Sequence, residues 1–75
     1  METKIVAADP NGNPMIATVH RRDGVEVGGV VFQSERIGKY CDQGLRYWFG
    51  WYAGNERGEA DTFQKAIEAV EETER

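Results

Sequence analysis

The chain has 75 residues, one cysteine and a formal net charge of −4, with 40% hydrophobic and 11% aromatic residues. This length predicts one domain spanning 1–75, the composition excludes a disordered chain, and the single cysteine excludes an internal disulfide framework. No apolar run approaches the roughly 20 residues of a membrane span and the N-terminus lacks a signal-peptide pattern, so we expect a cytoplasmic protein.

The first half of the chain has the pattern of antiparallel strands joined by tight turns, with strands predicted at 3–8, 15–22 and 25–33. Asp9-Pro10-Asn11-Gly12 has the residue types of a type I turn, and Asp23-Gly24 is a strong signal for a two-residue hairpin loop. That loop would place Ala17 opposite Val30 and pair Arg21 with Glu26 across the strands. The apolar face of the hairpin would then carry Met15, Ala17, Val19, Val30 and Phe32.

Five of the eight aromatic residues lie in six consecutive positions, 47–52. In an extended strand over 45–53, alternate side chains point to opposite faces. Trp48 and Tyr52 would therefore share one face, and the other face would carry Tyr47, Phe49 and Trp51. One helix covers only one face of a small sheet, so one aromatic set is predicted to lie at the surface, where it could bind a partner.

Two less regular segments flank this strand. Residues 34–45 are compatible with a loop, a helical turn or a strand, and residues 54–58 have the composition of a loop. Beyond them, Asp61 or Thr62 would cap a C-terminal helix. Its apolar stripe recurs at helical spacing: Phe63, Ala66, Ile67 and Val70.

These elements predict an α+β fold, an antiparallel sheet of three or four strands packed against one C-terminal helix. The core is predicted to contain the apolar residues of the helix stripe and of the inward strand faces: Ile5 or Val6, Val19, Val30, Phe32, Phe49, Trp51, Phe63, Ile67 and Val70.

Charge is distributed unevenly along the chain. Residues 1–54 hold six acids and six bases, whereas residues 55–75 hold seven acids and three bases and so carry the whole net charge of −4. Several of these glutamates fall in the last turns of the predicted helix, where the macrodipole disfavours negative charge. Helix stability does not require them, so they are either tolerated where the helix end frays or serve to contact a partner.

No catalytic, cofactor or metal motif is evident. His20 and Cys41 could in principle form a base and a nucleophile, but each has a simpler structural role. Asp9, Asn11 and Asn13 have the spacing that opens a calcium loop, yet Pro14 stands where that loop needs glycine. We therefore predict no enzyme activity, no cofactor and no metal site.

In size, acidity and absence of motifs, the chain resembles small phage-encoded inhibitors of host defence, the anti-CRISPR proteins. The resemblance is one of overall profile, without a shared motif. It implies a non-enzymatic inhibitor that acts as a DNA mimic in the host cytoplasm and occupies a nucleic-acid-binding effector complex. The predicted contact surface combines acidic and aromatic residues: Glu56, Glu59, Asp61, Glu68, Glu71, Glu72, Trp48 and Tyr52.

Two other functions remain open. In one, Trp48 and Tyr52 meet across a two-fold axis in a homodimer. In the other, the exposed aromatics stack on nucleic-acid bases, and phosphates are contacted by basic residues drawn from Arg21, Arg22, Arg36, Lys39 and Arg46.

Overall fold

The structure, a computed structural model, describes residues 1–37 and 44–74. Within them the elements are, in chain order, β1 (Glu2–Ala8), β2 (Pro14–His20), β3 (Glu26–Ile37), β4 (Gly44–Ala53), β5 (Glu56–Ala60) and α1 (Phe63–Glu74). Each strand pairs antiparallel with the next, so the sheet order is β1-β2-β3-β4-β5. The α+β class is confirmed, with five strands in place of the three or four predicted.

The additional strand, β5, begins at Glu56, within the segment predicted to be a loop, 54–58. Gly54, with a φ of 60°, and Asn55 form a two-residue turn that places Ala53 opposite Glu56. Glycine with positive φ at the first of two turn positions is typical of a type II′ hairpin. The loop prediction is confirmed at Gly54 and Asn55 and is wrong from Glu56 onward. The strand was missed because its polar sequence has no apolar alternation.

Strand pairing also resolves part of the ambiguous segment 34–45. β3 continues to Ile37, which lies opposite Gly44 at the start of β4. The strand alternative is therefore the correct one at both ends of this segment. Its central residues, 38–43, which include Lys39 and Cys41, lie outside the described residues.

The β2–β3 hairpin keeps the predicted pairing along most of its length. Ala17 lies opposite Val30, as predicted. At the turn end the pairing differs, since His20 lies opposite Glu26 and takes the place predicted for Arg21. The predicted cross-strand ion pair is therefore wrong.

The cause lies in the turn itself. The Arg21 amide donates to the Val25 carbonyl, and Gly24 has a φ of 88°, which is the geometry of a three-residue loop ending in a glycine bulge. A second irregularity between Val19 and His20 compensates for the one-residue shift. The apolar face beyond it consequently stays inward.

The β1–β2 turn is organised by the Asp9 carboxylate. Its Oδ1 accepts hydrogen bonds from the amides of Asn11 (2.9 Å) and Asn13 (2.8 Å), and its Oδ2 accepts one from the Asn13 side chain (3.0 Å). These bonds, led by the Asn13 side chain, lower the pKa of Asp9 because they favour the charged form. The residues whose spacing resembles a calcium loop thus hold one another in a turn.

The core lies between α1 and one face of β2, β3 and β4. Buried side chains are Val19, Val30, Ala53, Ala66, Ile67 and Val70, and the half-buried residues packed against them include Phe49, Trp51 and Phe63. The predicted core is confirmed for these residues, apart from two alanines that it omitted, and Phe32 lies half-buried against Phe49.

The prediction of Ile5 or Val6 in the core is wrong. These side chains are 51% and 62% exposed. They lie on β1, at the edge of the sheet, whereas α1 packs mainly on β3 and β4. A helix about 10 Å across covers roughly two strands spaced about 4.8 Å apart, so an edge strand two positions away stays uncovered.

Helix α1 begins at a side-chain cap. The Thr62 hydroxyl accepts a hydrogen bond from the Lys65 amide at 3.1 Å, so Thr62, and not Asp61, is the N-cap. Asp61 instead lies 3.5 Å from the Lys65 ammonium. In the part of the chain that the structure describes, no helix has the length and apolar character needed to cross a membrane.

Candidate functional site

The aromatic residues of β4 divide between the two faces of the sheet as predicted. Phe49 contacts Phe63 of the helix, with ring centroids 5.8 Å apart, and Trp51 packs against the buried core. Trp48 and Tyr52 occupy the alternate positions and therefore lie on the face opposite α1. No other described element covers that face, which we call the open face.

The open face carries a groove between its two aromatic residues, about 700 Å³ in volume. Trp48 and Tyr52 stand at either end, and Gly50 lies between them on the same strand. Because glycine has no side chain, the floor of the groove is low at this point. The remaining walls come from neighbouring strands: Val31 and Gln33 of β3, and Arg57 and Glu59 of β5.

Tyr52 is held flat against the sheet. A Cβ atom at Gly29 would lie 2.6 Å from the Tyr52 Oη, so the ring lies over that glycine. The Tyr52 hydroxyl donates to Glu26 Oε2 at 3.5 Å. Partial burial, followed by the Glu26 charge, raises the pKa of Tyr52, and the side chain therefore remains a neutral hydrogen-bond donor over the whole physiological range.

Trp48 is positioned by a cation. The Arg46 guanidinium carbon lies 4.9 Å from the centre of the Trp48 ring, within the range of a cation–π contact. Arg46 in turn lies opposite Glu35 on β3. Since Arg57 and Glu59 follow on β5, basic and acidic residues alternate on this face, which gives it a mixed charge and no continuous basic track.

His20 is engaged on both ring nitrogens. Nδ1 lies 3.2 Å from the Gly24 carbonyl and Nε2 lies 2.8 Å from the Thr18 hydroxyl. A carbonyl only accepts, so Nδ1 donates to Gly24, and in the neutral tautomer Nε2 then accepts from the Thr18 hydroxyl. Both ring nitrogens thus have partners that hold the histidine against β2 and the β2–β3 turn. Cys41, the nucleophile that the sequence offered together with His20, lies outside the described residues.

The acidic residues of the predicted contact surface lie mainly on the helix side of the sheet. Glu68 and Glu72 are exposed one turn apart on α1, and Glu71 is half-buried. Within the described residues none of these three forms an ion pair, and Glu68 has only a 3.5 Å hydrogen bond from Gln64. Glu56 is on the same side, because it lies opposite Ala53 in the core.

The remaining predicted residues meet on or beside the open face. Trp48, Glu59 and Asp61 line one recess, and Tyr52 shares the groove with Trp48 and Glu59. The structure therefore separates the predicted surface into two parts. The glutamates of α1 lie on one side of the sheet, and the aromatic pair lies on the other.

Comparison with known protein families, with curated proteins and with solved structures gives no match. Among residues 1–37 and 44–74, no group of three or more His, Cys, Asp or Glu side chains is arranged to hold a metal ion.

Among the groove residues that sequence reasoning missed are Val31, Gln33 and Arg57. All three depend on register. Val31 and Gln33 are brought beside Gly50 and Trp48 by the β3–β4 pairing, and Arg57 is brought opposite Tyr52 by β5. The Gly54-Asn55 turn was the one signal that could have placed Arg57 and Glu59 on the open face.

Proposed function

We propose that the protein is a non-enzymatic binding protein that inhibits a nucleic-acid-handling effector complex in the host cytoplasm, as anti-CRISPR proteins do. The observation that carries this proposal is the exposed pair Glu68 and Glu72 on α1, with Glu71 beside them. These carboxylates lack cationic partners within the described residues. Their negative charge is consequently available to attract a positively charged surface of a partner.

A groove that binds nucleic acid is lined with Lys and Arg, and such a groove attracts any closely spaced row of negative charges. Carboxylates on successive turns of a helix stand about 5.4 Å apart, so they present closely spaced negative charges as a row of backbone phosphates does. Glu71 and Glu72 lie in the last turn of the helix, where each costs a few tenths of a kcal/mol, and Glu68 repels Glu72 at the i, i+4 spacing. A partner-binding role accounts for that cost.

Charge reversal on the helix is expected to abolish inhibition. The wild-type protein, added in equimolar amount, should prevent target-DNA binding by one member of a panel of purified CRISPR effector complexes. Glu68→Lys combined with Glu72→Lys should restore DNA binding, because lysines would repel the basic groove. The fold should tolerate the change, since positive charge near the C-terminal end of a helix is favourable.

A matched control is Glu2→Lys combined with Glu35→Lys. Both residues are exposed and lie on strands, and this pair also changes the net charge from −4 to 0, since each reversal adds two units. The control should inhibit as the wild type does. The proposal would be contradicted if the wild-type protein inhibited none of the complexes. It would also be contradicted if the two double variants lost inhibition to the same extent.

A second function, nucleic-acid binding through the open face, is favoured by the groove between Trp48 and Tyr52. A base could stack on Trp48, and Gln33, Arg57 and Glu59 offer hydrogen-bonding groups at the walls. Stacking on an aromatic side chain contributes about 1–3 kcal/mol per base. This alternative makes the sheet the contact surface and leaves α1 facing solvent.

If this second function holds, Trp48→Ala should weaken binding of a labelled single-stranded oligonucleotide by roughly 10- to 100-fold. Fluorescence anisotropy at low salt measures the affinity, which should fall further as salt is added. Leu45→Ala is the control, because Leu45 is exposed on the same strand but points to the helix side. Absence of saturable binding by the wild type would exclude this alternative.

A further inference from the structure

Within the described residues, strand β5 forms one edge of the sheet, and half of its backbone groups have no strand partner. Its hairpin with β4 has a two-residue loop, so Ala53 and Glu56 form the hydrogen-bonded pair that closes the turn. Hydrogen-bonded and non-hydrogen-bonded pairs alternate in an antiparallel ladder. The peptide groups of Arg57 and Glu59 therefore point away from β4, toward the free edge.

On β5, residues of opposite charge stand on either side of Gly58. Arg57 precedes this glycine and Glu59 follows it. If a second copy of the strand lay antiparallel to the first with Gly58 opposite Gly58, each Arg57 would face a Glu59 of the other copy. We propose that β5 pairs with β5 of a second copy in this register, which joins two five-stranded sheets into one sheet of ten strands.

The backbone and the side chains favour the same register. Arg57 and Glu59 have the outward peptide groups, so each Arg57–Glu59 pair between copies exchanges two hydrogen bonds, four in all. Both side chains lie on the open face, where opposite charges directly across a strand pair attract. A shift of two residues would lose both ion pairs, which makes the register specific.

Gly58 allows the two copies to meet on the helix side of the sheet. The Trp51 ring already lies over this glycine, since a Cβ atom there would be 2.6 Å from Trp51 Cζ2. In the dimer the two indole rings approach each other over adjacent glycines, with no side chain between them. The two-fold axis is perpendicular to the sheet, so both helices lie on one side and the two open-face grooves become neighbours.

The opposite edge of the sheet is less suited to pairing. β1 has two register irregularities, between Ile5 and Ala7 and between Ala7 and Ala8. Such bulges bend an edge strand and interrupt its row of hydrogen-bonding groups. β5 has an unbroken register over all five of its residues. Because its register is regular, β5 is the edge strand better suited to pair with a second copy.

Charge-swap variants test the dimer. Sedimentation equilibrium should show the mass rising with concentration from 8.5 kDa toward twice that value. Arg57→Glu alone, or Glu59→Arg alone, places like charges opposite each other twice and should weaken the dimer about tenfold or more. The double variant Arg57→Glu/Glu59→Arg restores both pairs and should dimerise nearly as the wild type does.

Hydrogen exchange identifies the interface by residue. The amides of Arg57 and Glu59 should become protected as the protein concentration rises, while the Gly58 amide, already bonded to β4, should not change. A mass of 8.5 kDa at every concentration up to the millimolar range would overturn the proposal. A dimer whose affinity is unchanged in Arg57→Glu and in Glu59→Arg would also overturn the proposal. Such a result would point to association through Trp48 and Tyr52.

Discussion

Gly28→Ala is expected to destabilise the protein severely, by about 1–3 kcal/mol or more. A Cβ atom at this position would lie 2.2 Å from the Tyr52 carbonyl oxygen and 2.8 Å from Val70 Cγ1. The first of these atoms belongs to the backbone of the neighbouring strand and cannot rotate away. β3 would have to move away from β4 at the Tyr52 carbonyl, and α1 would have to move away from the sheet at Val70.

Gly50→Ala is the matched control for this substitution. Gly50 is also in the interior of a strand, but a Cβ atom there would lie 3.7 Å from the Gln33 side chain and 3.9 Å from the Val31 carbonyl oxygen, both ordinary van der Waals distances. Alanine should therefore be accommodated at position 50 without loss of stability. Thermal unfolding followed by circular dichroism compares the two variants. Equal midpoints would contradict the close approach of β4 and of Val70 to Gly28.

The strand arrangement could be predicted where turn chemistry and apolar alternation agree. The β2–β3 pairing of Ala17 with Val30 follows from the Asp23-Gly24 signal and the inward apolar residues, although the turn differs. The turn type was missed because a three-residue loop and a compensating bulge give the same pairing along the strand as a two-residue loop. Burial of Val19 and Val30 selects this pairing, whichever turn closes it.

The candidate surfaces could be predicted only in part. The alternation of side-chain direction along β4 is sufficient to place Trp48 and Tyr52 on one face of the sheet and Trp51 on the other face, in the core. That assignment already implies that α1 lies over Trp51, and hence that Glu68 is on the other side of the sheet from Trp48. Polar β5 gives no hydrophobic alternation, so the edge pairing between copies becomes visible only in the structure.

Ile67→Ala is expected to lower the free energy of unfolding by about 2–5 kcal/mol. Ile67 is 6% exposed and lies in the cluster formed by Val19, Val30 and Val70. A domain of this size has a total stability near the lower end of about 5–15 kcal/mol. The cavity would therefore remove a large share of the stability, because so small a core has few neighbours that can move in to fill it.

Glu68→Ala serves as the control for this second substitution, since Glu68 is the next residue of α1 and is exposed. Urea unfolding should give a similar m-value for the wild type, Ile67→Ala and Glu68→Ala. Of these three, only Ile67→Ala should have a lowered midpoint. Phe63→Ala should have an intermediate effect, because Phe63 is half-buried and its main ring contact is with Phe49. If Ile67→Ala and Glu68→Ala unfold at the same urea concentration, α1 is not packed through its apolar stripe. In that case Glu68 and Glu72 would not be held in the outward orientation on which the proposed inhibitor surface depends.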